Sequence, residues 1–491
     1  MLIPAGRLLA ALSTEFGRLL PKLDDAGTDG SAGQGIANAL LLLSNRETAG
    51  SAFVDAQVDA LCAVLAVAEY IAPHGNAAML REEADAVRAA GSLAEKEAAW
   101  RDLLARTQDF AGAMAGDPAL SPADRARLCA AFVAWEAQDR LAQAAPADAV
   151  ADSGEVQITR ENLTAYLRDR FAEPGLEVTA LTPLAGGFGK ETILFDVAGQ
   201  ALSGSFVMRR DLAGGASLTN DCHRNAMEYP VILAAHARGF PAPDAVFLDT
   251  EHAALPGGDF FVMRKSPGKI GGNFFGAQTA IPADLVDSMA QIMARLHRLE
   301  PLTELGNHNP AIRAELWTKT RSEAARDYIA GWREYFLANN HMPSPSLMAL
   351  YGWLLDNVPD RRGRPSLLHG DFGFHNFLFD DGKLTAVLDW EFAHIGDPAE
   401  ELGYVRETIG DAIDWQQLTA LYEAAGGDPV DEPTLRYFRV WAHVRNASAS
   451  NLISANFIAG LADDLKLAYL AHVHFPMFIS AAQALIAGGG V

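Results

Sequence analysis

The sequence predicts an α+β protein in three parts: an all-helical region, a small strand-rich lobe, and a larger helical lobe carrying one compact β-rich segment. Three observations lead there. Apolar residues in the first 148 positions step by three or four, as at Val54, Val58, Leu61, Leu65 and Ala68, amid many Ala and Leu and few β-branched residues. After about residue 172, short β-rich runs separated by turn residues replace that pattern. From about Pro282 the helical period returns, broken only over 366–393. At 491 residues, against about 150 for one domain, two or three folding units are expected.

Taken in order, turn-forming clusters at 24–33, 73–76 and 116–122 divide the first region into helices, and no constellation of ligands or nucleophiles occurs in it. The stretch 142–154, AQAAPADAVADSG, is small, acidic and broken by Pro146, so it reads as a linker. The expected division is 1–148 as a helical accessory domain, 149–154 as linker, 155–264 as the strand-rich lobe and 265–491 as the helical lobe. In the strand-rich lobe a helix is expected over 156–171. The runs EVTALTPLA and ETILFDVAG then flank Gly186, Gly187 and Gly189. SFVMRRD follows, then a helix near 221–238, then AVFLD and FFVMRKSPG.

The chain carries 62 acidic and 39 basic side chains, a net charge of −23. Nucleic-acid binding needs a clustered positive face, so a nucleic-acid partner is excluded, and docking on anionic lipid is disfavoured on the same ground. Cys62, Cys129 and Cys222 stand far apart with no CxxC pair, which fits reduced thiols rather than a disulfide framework or a zinc site. The N-terminal apolar residues are interrupted by Arg7, Glu15, Arg18 and Lys22, and no apolar run approaches 18 residues. A cytoplasmic protein without a membrane span is expected.

The chemistry concentrates between His369 and Asp389. Asp371 and Asn376 are five apart, and Asp389 follows after a turn at 380–382 joins two apolar runs. This arrangement suits phosphoryl transfer: a loop aspartate orients a substrate hydroxyl, while an amide oxygen and a second carboxylate supply hard ligands to Mg²⁺. The hairpin returns Asp389 beside Asn376. The glycine-rich turn LAGGFGKET lies between two strands, where backbone N–H groups of Gly186, Gly187, Phe188 and Gly189 could meet phosphate. It lacks the GxxxxGK[ST] pattern and does not open a helix.

HGDFGFHN followed by AVLDWEFAHIGDP resembles the aminoglycoside phosphotransferase and choline kinase family, relatives of the protein kinases, and the order of elements matches over 155–491. LAGGFGKET, the FVMRK strand, MARLHRLE and LDWEFAHIGDP are most similar to the kinase-like domains fused to acyl-CoA dehydrogenases. For residues 1–150 the resemblance supplies no activity. It implies a bilobal protein-kinase-like fold, ATP (or GTP) and Mg²⁺ as cofactors, and a small-molecule hydroxyl acceptor bound by the helical lobe. Asp371 takes the catalytic position, Asn376 and Asp389 the metal-ligand positions, and His369 braces the loop. In such folds a lysine on the next strand binds phosphate and pairs with a helix glutamate. Here that strand offers Arg209, with Glu228 as its expected partner. Backbone groups around Met263 to Lys265 take the hinge position that faces adenine. Trp390 and Glu391 stand where protein kinases carry Phe-Gly, and His297 is expected to be a packed core histidine. The aromatic helical lobe suggests a hydroxylated catabolite or hydroxyacyl acceptor. The alternatives are an antibiotic kinase and a non-catalytic nucleotide-binding scaffold.

Overall fold

A computed structural model describes residues 51–488, apart from 53, 74, 137–156, 185–189, 212–223, 252–254, 256, 271–282, 303–304, 306–308, 411, 459–466 and 468–469. The described helices begin with α1 (54–71), α2 (Ala77–Ala89), α3 (Leu93–Ala115), α4 (Pro122–Glu136) and α5 (Arg160–Arg170). Caps explain several starts. Ser92 and Glu95 bond each other's backbone amides to open α3, and Thr159 with Asn162 does the same for α5. The cap moves the start of α5 to Arg160, later than the expected 156.

Five strands follow: β1 (Glu177–Leu184), β2 (Lys190–Ala198), β3 (Gly204–Asp211), β4 (Ala245–Asp249) and β5 (Phe260–Arg264), with α6 (Asn225–Ala237) between β3 and β4. They form one antiparallel sheet in the order β1-β2-β3-β5-β4. Along β3 burial alternates: Phe206, Met208 and Arg210 share one buried face, and Val207 and Arg209 point the other way. Beyond β5 come β6 (Lys269–Ile270), α7 (Ala283–His297), α8 (Arg321–Asn339), α9 (Pro345–Asp356) and β7 (Ser366–Leu368). The β-rich segment supplies β8 (Phe377–Asp380), β9 (Lys383–Val387) and β10 (His394–Gly396). Strands β6, β8 and β9 form a second sheet and β7 pairs with β10. Helices α10 (Pro398–Ile409), α11 (Trp415–Ala424), α12 (Glu432–Ile458) and α13 (Phe475–Ile486) complete the described chain. No described helix is long and apolar enough to cross a membrane.

The chain divides into two compact units; one break, at 150/151, falls within the expected 149–154 linker, none falls at 264, and 329–358 and 440–491 depart from the expected helical lobe. One unit joins 1–150 to 329–358 and 440–491; the other comprises 151–328 and 359–439. The expected linker 149–154 lies outside the described residues. The physical reason for the difference lies in α9. The hydroxyl of Ser344, its N-cap, donates to Glu136 Oε2 at 2.8 Å, and the Ser344 amide donates to Gln108 Oε1, also at 2.8 Å. Ser346 donates to the Phe132 carbonyl at 2.8 Å. The buried carboxylate and amide of the N-terminal helices thus satisfy the first turn of a helical-lobe helix. In the other unit, one core gathers α6, α7, β7–β9, α10 and α11, and a smaller core lies under the five-stranded sheet against α5.

Gly352 tests the α3–α9 packing. A Cβ there would lie 2.4 Å from the Ala115 Cβ, so Gly352→Ala should cost about 1–3 kcal/mol by overpacking. An unchanged denaturation midpoint of the full chain would mean that α3 does not seat on α9.

Candidate active site

The register of β2 against β3 pairs Thr192 with Arg209, which sets Lys190 diagonal to Arg209 on one face of the sheet. Helix α6 is pinned at its first residue: the Asn225 side chain donates to the carbonyls of Arg209 and Asp259, and its amide donates to Asp211 Oδ2. One turn later Glu228 meets Lys190, its Oε2 accepting from the Lys190 Nζ at 2.6 Å, while its Oε1 accepts from the Trp390 amide at 3.1 Å. Lys190 Nζ also lies 2.8 Å from Glu391 Oε2. Arg209 Nη2 donates to Asp389 Oδ1 at 2.8 Å. The expected Arg209–Glu228 pair is therefore replaced by two others. Lys190 takes Glu228, because its position on β2 brings an ammonium to the helix, and Arg209 turns to Asp389.

Two cations and three carboxylates now share one cluster, with Lys190 and Glu228 buried and Arg209, Asp389 and Glu391 partly buried. Burial would lower the Lys190 and Arg209 pKa values, but the carboxylates raise both above their ordinary ranges. Glu228 also suffers desolvation, yet Lys190 and Arg209 hold it below the usual carboxylate value. Asp389 behaves differently. Burial, with Glu391 and Glu228 adding to it and Arg209 opposing, pushes its carboxyl up to about 6. Asp389 is also one of three described non-glycine residues with positive φ, at 65°.

Below this cluster the catalytic-loop segment is tied to the returning strand. The Leu388 amide donates to the Asn376 carbonyl at 2.7 Å, and Phe377 pairs with Val387, so the hairpin does carry Asp389 back beside Asn376. The Asn376 side chain donates to Asp371 Oδ2 at 2.8 Å and to its carbonyl at 2.9 Å. His375 Nε2 lies 3.2 Å from Asp371 Oδ1, and the Tyr404 hydroxyl donates to that same oxygen. Burial would lower the His375 pKa, but the charge and hydrogen bond of Asp371 raise it above the ordinary value. His369 is fully buried, which lowers its pKa; its Nε2 contacts the Leu388 carbonyl at 2.8 Å and its Nδ1 receives the Asp371 amide at 3.2 Å. It spans loop and strand without reaching the carboxylates. Gly370 has φ 80°, and a Cβ would lie 2.4 Å from the Phe392 carbonyl oxygen, so only glycine fits before Asp371.

Gly186, Gly187, Phe188 and Gly189 lie outside the described residues. Met263 is built into β5 between β3 and β4, and the amides of Arg264 and Lys265 donate to the Asp244 and Ser205 carbonyls. The hinge amides thus have partners within the sheet. His297 is a packed core histidine, bonded to the Tyr422 hydroxyl at 2.7 Å and Glu401 Oε2 at 3.0 Å. Lys190, His375 and Tyr404 escaped the motif reading, and Glu391 enters it only as standing where protein kinases carry Phe-Gly, with no charge partner assigned. Lys190 alone carried a usable signal: it is the single lysine between residues 155 and 264.

This is the two-lobed fold of small-molecule kinases, with an aspartate loop set below a buried lysine–glutamate pair. Residues 180–438, more than half of the chain, match the phosphotransferase enzyme family, and the chain belongs to it. It is 28% identical over 251 residues to acyl-CoA dehydrogenase family member 11 of Rattus norvegicus, covering 50% of this chain and 30% of that protein. The chain thus spans about 30% of the length of these curated relatives. It is 33% identical to the Escherichia coli hygromycin-B 4-O-kinase over 72 residues, 15% of this chain and 21% of that protein. Among solved structures, macrolide 2'-phosphotransferase from Brachybacterium faecium overlaps with a TM-score of 0.41 at 18% identity, covering 66% of this chain and 97% of that one.

The charge cluster generates two stability predictions. Lys190→Met strands Glu228 and Glu391 and should cost about 3–5 kcal/mol, the usual scale for breaking a buried pair; a loss below 1 kcal/mol would mean the carboxylates find other partners. The folded pKa of Asp389 lies above its free value of 3.8, so its contribution to stability is full below about pH 4 and is lost as pH rises through 6. Asp389→Asn removes that loss. Nucleotide-free variant at pH 7.5 should melt no lower than wild type, and its stability should change less between pH 5 and 7.5.

Proposed function

We propose that the chain transfers the γ-phosphate of ATP, with Mg²⁺, to a hydroxyl of a small molecule, and that Asp371 aligns that hydroxyl. The observation that carries this is the Asp371 carboxylate, fixed on both oxygens by Asn376, His375 and Tyr404, beneath a cluster holding two cations fit for phosphate. Lys190, seated by Glu228, and Arg209 would grip the phosphates; the arginine fork adds bidentate geometry to the point charge of the lysine.

The donor set suits a hard divalent cation. One atom each of Glu228, Asp389 and Glu391 lies within 4.8 Å of the others, and three carboxylates face only two cations. Asp389 and Asn376 would hold Mg²⁺, which when bound would offset the phosphate charge. Asp371 would receive the proton of the acceptor hydroxyl as its oxygen attacks in line, and the preset carboxylate and cations supply positioning and electrostatics. His369 keeps loop and strand in step.

For the acceptor, a hydroxyacyl-type alcohol is our first reading, supported by several of the curated relatives being acyl-CoA dehydrogenase family members. The aromatic argument from sequence carries less weight, because Trp317, Trp332, Phe438 and Trp441 are buried core. A coupled ATP-consumption screen of hydroxyacyl thioesters and hygromycin B decides between this class and an antibiotic. Consumption with neither would point to another alcohol.

With an acceptor in hand, Asp371→Asn should cut single-turnover transfer by a factor on the order of 10² or more while nucleotide affinity holds. Rates within a few-fold of wild type would sink the role given to Asp371. In nucleotide titrations with and without Mg²⁺, Asp389→Asn should weaken metal-dependent binding more than Asn376→Ala, since a carboxylate offers full charge and an amide only a dipole. Equal wild-type and Asp389→Asn affinities in Mg²⁺ would remove Asp389 from the metal site.

A further inference from the structure

Tyr404 does to Asp371 what an acceptor must do: its hydroxyl donates to Oδ1. Helix α10 is built to deliver it. Asp397 caps the helix by accepting the Ala399 amide and is clamped by Arg361 at 2.6 and 3.2 Å. One turn in, Glu401 Oε1 accepts the Gly370 amide at 2.8 Å, and its other oxygen is held by His297. Three residues on, and so on the same helix face, Tyr404 reaches Asp371, the residue after Gly370. The phenol is 3% exposed, so its position is set by this double attachment.

We propose that, without acceptor, Tyr404 occupies the hydrogen-bonding place of the acceptor hydroxyl on Asp371 and so withholds this carboxylate from water. The inference rests on Asp371 being the group that aligns the acceptor. A tethered phenol competes at high effective concentration, because its translational freedom is already lost. Water brings only its own hydrogen bonds and is the weaker competitor. An alcohol bound through the rest of its structure has binding energy to displace the phenol, and the exchange swaps one O–H donor for another. Tyr404 is then a positioning residue that favours transfer to alcohols over nucleotide hydrolysis.

The hydrolysis it restrains is balanced as follows. The water oxygen forms a bond to the γ-phosphorus, the bond from that phosphorus to the bridging oxygen breaks with its electron pair leaving on ADP, and the water proton passes to Asp371. The phenol keeps its own proton throughout.

The test uses the full chain with ATP and Mg²⁺ and no acceptor, reading phosphate release at saturating nucleotide. Tyr404→Phe should release phosphate on the order of tenfold faster than wild type, with nucleotide affinity unchanged. The double variant Tyr404→Phe/Asp371→Asn should fall back to the rate of Asp371→Asn alone, a dependence that general loosening of the helix would not produce. A Tyr404→Phe rate at or below wild type overturns the inference, as does a gain that survives in the double variant. Loss of nucleotide affinity in Tyr404→Phe would make the hydroxyl a structural bond and overturn it too. The role of Asp371 fails separately, if Asp371→Asn in the Tyr404 background transfers phosphate to an acceptor like wild type.

Discussion

The strand-rich lobe and the hairpin converge on one electrostatic constraint: three carboxylates held against two cations around a buried Lys190–Glu228 pair. Glu228 is the centre of it, bonded to Lys190 on one oxygen and to the Trp390 amide on the other. Breaking the Lys190–Glu228 contact leaves a buried charge without compensation, which costs far more than a surface pair could return. The cluster therefore fixes the position of α6, the register of β2 on β3 and the backbone at Asp389 together. The odd carboxylate leaves a negative excess, and Asp389, raised to about 6, carries it. Such an excess makes the free protein less stable and is suited to taking up positive charge.

The loop at 369–376 obeys a second constraint, the need to hold Asp371 still. Both carboxylate oxygens and the carbonyl accept from neighbours, and its amide donates to His369. Each of those neighbours is itself fixed: His369 by the Leu388 carbonyl, Tyr404 through the helix that Glu401 ties to Gly370. The result is a carboxylate whose place is set by the fold itself, the arrangement that the proposed phosphoryl transfer would use.

The N-terminal helices enter the molecule through α9. Glu136 and Gln108 are polar, yet they lie buried, because they satisfy orphan groups at a helix start. A polar residue used in this way leaves no periodic trace, so the union of 1–150 with 329–358 and 440–491 could not be read from composition or from the linker-like stretch at 142–154.

Local chemistry was legible in the chain itself. The spacing of Asp371, Asn376 and Asp389 and the turn at 380–382 announced a hairpin that returns one acid to another, since turn type and strand period are short-range properties. The pairing of charges was not. Lys190 and Glu228 are 38 residues apart, Arg209 and Asp389 are 180 apart, and either cation could have served either acid until β2, β3 and α6 were assembled. Tyr404 is another such case: its reach to Asp371 depended on Glu401 meeting Gly370. The sequence by itself determined which groups are available and on which elements they ride. Only the tertiary structure decided which charges meet, because electrostatic partnership depends on distance and burial, and neither is a property of neighbouring residues.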